Sequence, residues 1–135
     1  MLSKKSQYAL RALSYLVGKK DEGPVLISDI ATAKKIPLKF LENILLELKK
    51  ADILDSKKGK GGGYFFSANP AEISLATVIR LVNGPISMIP CVSIHFHEQC
   101  LNCNQEHCGL HDVLIEVRDA SLAILEKKTL LDIVD

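Results

Sequence analysis

Four of the five residues from Gly59 to Gly63 are glycine, and this tract restricts the fold more than any other stretch of the chain. Such a run cannot lie inside a helix, where each Gly costs roughly 1 kcal/mol relative to Ala. Ile53-Leu54-Asp55-Ser56-Lys57-Lys58 reads as a strand before it, and Tyr64-Phe65-Phe66 as a strand after it. Gly59-Lys60-Gly61-Gly62-Gly63 is then a hairpin tip, where glycine supplies positive φ without steric cost. A phosphate-binding P-loop would need Gly-Lys-Ser/Thr opening a helix, and here a strand follows. The tip reads either as a solvated turn or as a basic wing carrying Lys57, Lys58 and Lys60 to a phosphate backbone or minor groove.

What precedes the hairpin favours the wing. Ser3 caps a first helix that runs to about Lys19, with Leu10, Leu13 and Leu16 or Val17 at helical spacing. Asp21-Glu22-Gly23-Pro24 ends it, and Val25-Leu26-Ile27 forms a short extended piece. Ser28 is then expected to cap a second helix, Asp29 to Lys34. After a break at Lys35-Ile36, Pro37 suits the first turn of a third helix, which reaches about Ala51 with Leu38, Leu41, Leu45 and Leu48 on one stripe. Lys39 and Asn43 fall on the opposite side, with Glu42 at its edge. Two short helices joined by a tight turn and followed by a hairpin have the layout of a winged helix-turn-helix. Candidate DNA contacts are therefore Ser28, Lys39, Phe40, Glu42 and Asn43, with Lys57, Lys58 and Lys60 on the wing. An ordinary solvated helix face is the bland alternative, and Phe40 suits either a core-covering role or contact with thymine methyls.

Charge divides along the chain in the same sense. Residues 1–64 carry 13 Lys and Arg against 7 Asp and Glu (+6), and the remainder carries 4 against 9 (−5). A polyanion partner is expected for the first half alone.

Ser74 caps a further helix, Leu75 to Asn83, ended by Gly84-Pro85. Residues 86–107 show no periodicity. Leu110, Val113, Val117, Ala120 and Ile124 then recur at heptad spacing, which suits a helix packed on its copy in a homodimer. Thr129 caps a short terminal helix. The expected architecture is mostly α with a small β-hairpin wing: a winged helix-turn-helix over residues 1–84, a cysteine-rich loop over 85–109, and a dimerisation helix with its tail over 110–135. No run of about 18 apolar residues is present, so no membrane partner and a cytoplasmic location are expected.

The cysteines carry the remaining chemistry. They read Cys91-x8-Cys100-x2-Cys103-x4-Cys108-x2-His111, with His95, His97 and His107 close by. In a reducing compartment they are thiols or metal ligands, not disulfides. Cys108 and His111 are three apart at a helix start and can face one site. Zinc favours paired Cys-x2-Cys knuckles, of which one is present; iron–sulfur clusters accept thiolates at varied spacings. A redox dithiol of Cys100 and Cys103 lacks the surrounding βαβ pattern of thioredoxin-like enzymes, so an enzymatic role is not expected.

Together these residues resemble the Rrf2 family of bacterial regulators, which includes IscR-, NsrR- and CymR-like proteins. Met1-Leu2-Ser3-Lys4-Lys5-Ser6-Gln7-Tyr8-Ala9-Leu10-Arg11-Ala12-Leu13 looks like the family's first helix. The stretch from Ile30-Ala31 to Pro37-Leu38-Lys39-Phe40-Leu41-Glu42 resembles its helix-turn-helix. Lys58-Gly59-Lys60-Gly61-Gly62-Gly63-Tyr64 is similar to its wing, with Lys58 where an Arg commonly stands. The resemblance implies a homodimer held by the long helix and bound to two half-sites of double-stranded DNA. It also implies an iron–sulfur cluster in the sensing members, with Cys91 and Cys108 at the first and third ligand positions and Cys100 or Cys103 between them. His111 matches the fourth ligand of IscR-like members, whereas Gln7 stands where NsrR-like members supply an acid from the first helix. Other members have no cysteines here.

Overall fold

The computed structural model describes residues 2–100 and 108–135. Helix α1 spans Lys4–Gly18, and Ser3 caps it as expected, its Oγ accepting from the Ser6 N–H at 3.1 Å. Its buried face is Ala9, Ala12, Leu13, Leu16 and Val17, with Ser6 and Ser14 between them. Leu10 is only partly covered, because the two alanines let neighbouring helices approach on a face rotated away from it.

Helix α2 covers Ile27–Lys34 and α3 covers Leu38–Lys50. The expected cap is corrected here: Leu26 occupies the cap position of α2, no side chain caps that helix, and Ser28 lies inside its first turn. The chain enters α2 from an extended piece held elsewhere, so the boundary falls before the serine. Lys35 adopts the left-handed conformation (φ 53°) and ends α2, its strain of roughly 1–2 kcal/mol being offset by the Ile36 N–H bonding back to the Ala31 carbonyl at 3.0 Å. That turn drives Ile36 into the core at 4% exposure. Pro37 is the cap residue of α3. The buried stripe of α3 is Leu41, Ile44, Leu45 and Leu48; Leu38 sits at its very start and is 46% exposed.

Strands β1 (Leu54–Lys57) and β2 (Gly63–Phe66) pair antiparallel, Leu54 opposite Phe66 and Lys57 opposite Gly63. Two glycines are structurally required here. A Cβ on Gly62 would lie 2.2 Å from the Lys57 carbonyl oxygen; one on Gly63 (φ 141°) would lie 2.3 Å from that of Val25. The close approach at Gly63 exists because Val25 exchanges both backbone hydrogen bonds with Tyr64, at 2.9 and 2.8 Å. The extended piece before α2 thus docks beside the hairpin as a third, one-residue strand.

A 3-10 turn at Pro70–Glu72 leads to α4 (Leu75–Val82), capped by Ser74 through the Thr77 N–H. One hydrophobic cluster joins α1, α2, α3, the hairpin and α4, with Leu13, Ile30, Leu41, Ile44, Leu45, Leu48 and Val78 fully buried. Each such side chain contributes about 1.5–3 kcal/mol relative to exposure.

Beyond α4 a second 3-10 turn, Pro90–Val92, precedes the long helix α5 (Gly109–Leu125). The tail returns to the main core. Thr129 forms a capping box with Asp132 at a 3-10 turn over Leu130–Ile133, Leu130 is fully buried, and its N–H bonds the Ile73 carbonyl at 3.1 Å.

Candidate DNA-binding surface and cysteine segment

On α3 the side opposite the buried stripe exposes Lys39, Glu42 and Asn43. Phe40, in the first turn, is 42% exposed and meets the Tyr8 ring of α1 edge-on, with centroids 5.6 Å apart and planes at 78°. It therefore both braces α1 against α3 and offers apolar surface outward. Ser28 is exposed in the first turn of α2, next to Asp29, whose carboxylate complements the helix dipole at the same end.

Cations of the first half differ in whether an acid neutralises them. Lys5 pairs with Glu47 at 2.6 Å, Lys19 with Glu22 at 3.6 Å, Lys49 with Asp55 at 3.9 Å, and Lys34 with Asp135. Among the described residues, Lys39, Lys57, Lys58 and Lys60 make no ion pair. These four belong to the outer face of α3 and to the wing, all are exposed, and their charge is left for an external anion.

The cysteine segment is built differently. Cys91 is 7% exposed and forms a small cluster with Val92 and Leu114, seating the Pro90–Val92 turn on α5. Arg118 of α5 reinforces this, its Nη1 donating to the Val92 carbonyl at 2.9 Å. Cys108 is the cap residue of α5, and its Sγ accepts from the His111 N–H at 3.4 Å. The His111 ring, mostly covered, has Nδ1 3.8 Å from the Asp112 carboxylate. Cys100 is exposed. Cys103 and His107 lie outside the described residues. Among the described residues, no three His, Cys, Asp or Glu side chains converge on a common point. Two of the expected ligands, Cys91 and Cys108, nevertheless lie against the same half of α5.

The heptad stripe on α5 faces outward. Leu110 and Ile124 are each 61% exposed, Val113 is 55% and Val117 is 39%. A cavity of about 260 Å³ opens beside it between α4, residues 85–88 and α5, lined in part by Ile79, Met88, Val117 and Leu125. Among the described residues no helix is long and apolar enough to cross a membrane.

Two features were missed by sequence reasoning. Tyr8 holds Lys4 and Arg11 around its ring, signalled by their spacing of four and three residues along α1. Arg118 bonds the Cys91 turn, a contact that no local pattern announces.

A helix-turn-helix with an antiparallel basic hairpin and an outward cationic face defines a winged-helix DNA-binding protein. The profile of the Rrf2 family, described as iron-dependent transcriptional regulators, matches residues 2–135, and the chain belongs to that family. It is 36% identical to an rrf2-like HTH-type regulator of Rhodobacter capsulatus, across 98% of this chain and 91% of that one. It is 32% identical to the HTH-type transcriptional regulator NsrR of Geobacillus kaustophilus, across 99% and 89% of the two chains. Its fold is similar to that of CymR, the global cysteine regulator of Bacillus subtilis, with a TM-score of 0.81 at 28% identity over 98% and 94% of the two chains. These relatives are transcriptional regulators, not enzymes.

Proposed function

We propose that this transcription regulator acts as a homodimer whose two winged helices read adjacent half-sites of double-stranded DNA, and whose affinity is set by an iron–sulfur cluster held in the cysteine segment. The observation that carries this reading is the pairing of an uncovered apolar stripe on α5 with a cysteine turn seated on the same helix. In the DNA complex Lys39, Phe40, Glu42 and Asn43 would face the major groove and Ser28 a backbone phosphate. Lys57, Lys58 and Lys60 would carry the wing to phosphates or the minor groove.

The donor set suits iron: Cys91, Cys108 and either Cys100 or Cys103 supply soft thiolates, with His111 as a fourth ligand. Cys108 stands at the N-terminus of α5, where its Sγ accepts from the His111 N–H. The cluster, when bound, would supply a redox- and iron-responsive crosslink. Cys91 would transmit that state to α5 through Leu114, and the Arg118–Val92 bond would do the same. At its other end α5 joins the winged helix through the Leu75 N–H to Lys128 carbonyl bond and the burial of Leu130, so a tilt of α5 would reposition both reading heads.

A second reading, structural zinc or thiol-based sensing by the same cysteines, is favoured by the fold similarity to a global cysteine regulator. Anaerobic purification followed by an absorption spectrum and iron and sulfide analysis separates the two. Brown protein with stoichiometric iron and sulfide, lost in Cys91→Ser and Cys108→Ser, is expected. Protein that stays colourless after anaerobic reconstitution would sink the cluster and leave zinc or thiol chemistry.

A further inference from the structure

We propose that α1 contributes a second phosphate-binding patch, formed by Lys4 and Arg11 around Tyr8, which engages the DNA backbone beside the recognition helix; this rests on the DNA-binding reading above. The ring of Tyr8 is the organising group. Lys4 Nζ lies 5.8 Å and Arg11 Cζ 5.7 Å from its centroid, so both cations are held against one aromatic side chain. The same ring contacts Phe40 in the first turn of α3 at 5.6 Å, which places the pair next to the end of the recognition helix that bears Lys39.

Charge pairing separates these two residues from Lys5 and Lys34. On the same helix Lys5 is neutralised by Glu47, and at the end of α2 Lys34 is neutralised by Asp135. Lys4 and Arg11 are exposed and, among the described residues, pair with no acid. Arg11 also donates through Nη2 to the Lys34 carbonyl, which anchors its guanidinium beside the helix-turn-helix. A guanidinium fixed by a carbonyl and a ring keeps other N–H groups to offer, in the fork that suits phosphodiester oxygens. The predicted ligand is therefore the duplex backbone, bound without regard to sequence.

The test is a salt titration of binding to a labelled random-sequence duplex of about two helical turns, using anaerobically purified full-length protein and fluorescence anisotropy. Lys4→Gln should lower the slope of log K against log salt by about 0.9 for each protomer on the duplex, and weaken binding about five- to tenfold per protomer near 0.1 M salt. Its thermal stability should fall only slightly, because Lys4 is exposed and its contact is with the rim of the core at Tyr8. Arg11→Gln should lower the slope similarly, while Arg11→Lys, which keeps the charge, should retain it. Wild-type slopes in both Lys4→Gln and Arg11→Gln would overturn the patch and leave the DNA-binding reading intact. A wild-type chain that binds no duplex would overturn both together.

Discussion

The winged helix and the α5 region handle their apolar side chains in opposite ways. From α1 to α4, Leu13, Leu16, Ile30, Leu41, Ile44, Leu45 and Val78 are sealed inside one cluster that also takes in Leu130 from the tail. Along α5 only Leu114 and Leu122 are buried, while Leu110, Val113, Val117 and Ile124 face outward, and among the described residues the buried neighbours of Leu114 in its cluster are Cys91 and Val92. The first region has the burial to hold itself together. The second buries less among the described residues, and in the proposed assembly a second copy would cover α5 and a cluster would hold the thiols. A well-buried reading head joined to a region with an uncovered apolar face is an arrangement that suits the proposed regulated DNA-binding protein.

Substitutions sharpen this contrast, and the largest effect belongs in the core. Leu45→Ala should cost about 2–5 kcal/mol of global stability in denaturant unfolding, by lost burial and a residual cavity; a cost near zero would mean that the winged helix is not the stable unit. Val117→Glu should barely alter the fold of a single chain, yet loosen the proposed dimer at least about tenfold, roughly 1.4 kcal/mol, in sedimentation equilibrium. An unchanged association constant would remove the α5 stripe from the interface. Gly63→Ala should destabilise by about 1–3 kcal/mol and weaken DNA binding, because its Cβ would strike the Val25 carbonyl and part the wing from the extended piece. Smallest in stability is Lys58→Gln: melting should move by less than about 0.5 kcal/mol, while the salt slope of duplex binding falls by about one unit.

Much of the reading head was legible in the chain because its signals are local. Ser3, Ser74 and Thr129 cap their helices through their own side chains, and the glycine tract requires the hairpin it forms. Expectations failed where a distant partner decides. Ser28 lost the cap position because the Val25–Tyr64 pairing sets where α2 begins. Ile44 is buried on the stripe and Leu38 is not, a difference set by how α3 is seated on its neighbours. The burial of Leu130 depends on the chain returning across Ile73, which no periodicity encodes. The cysteine spacing names donors by type, but convergence is a property of tertiary placement. Cys91 and Cys108 come to one helix, whereas the expectation for Cys103 falls outside the described residues.

Hydrogen exchange read by mass spectrometry, on anaerobic protein before and after iron chelation, tests the central contrast most directly. The account predicts unchanged protection in α1, α3 and α4, and a marked loss in residues 86–100 and the N-terminal half of α5. Equal loss across both regions, or no change in either, would contradict it.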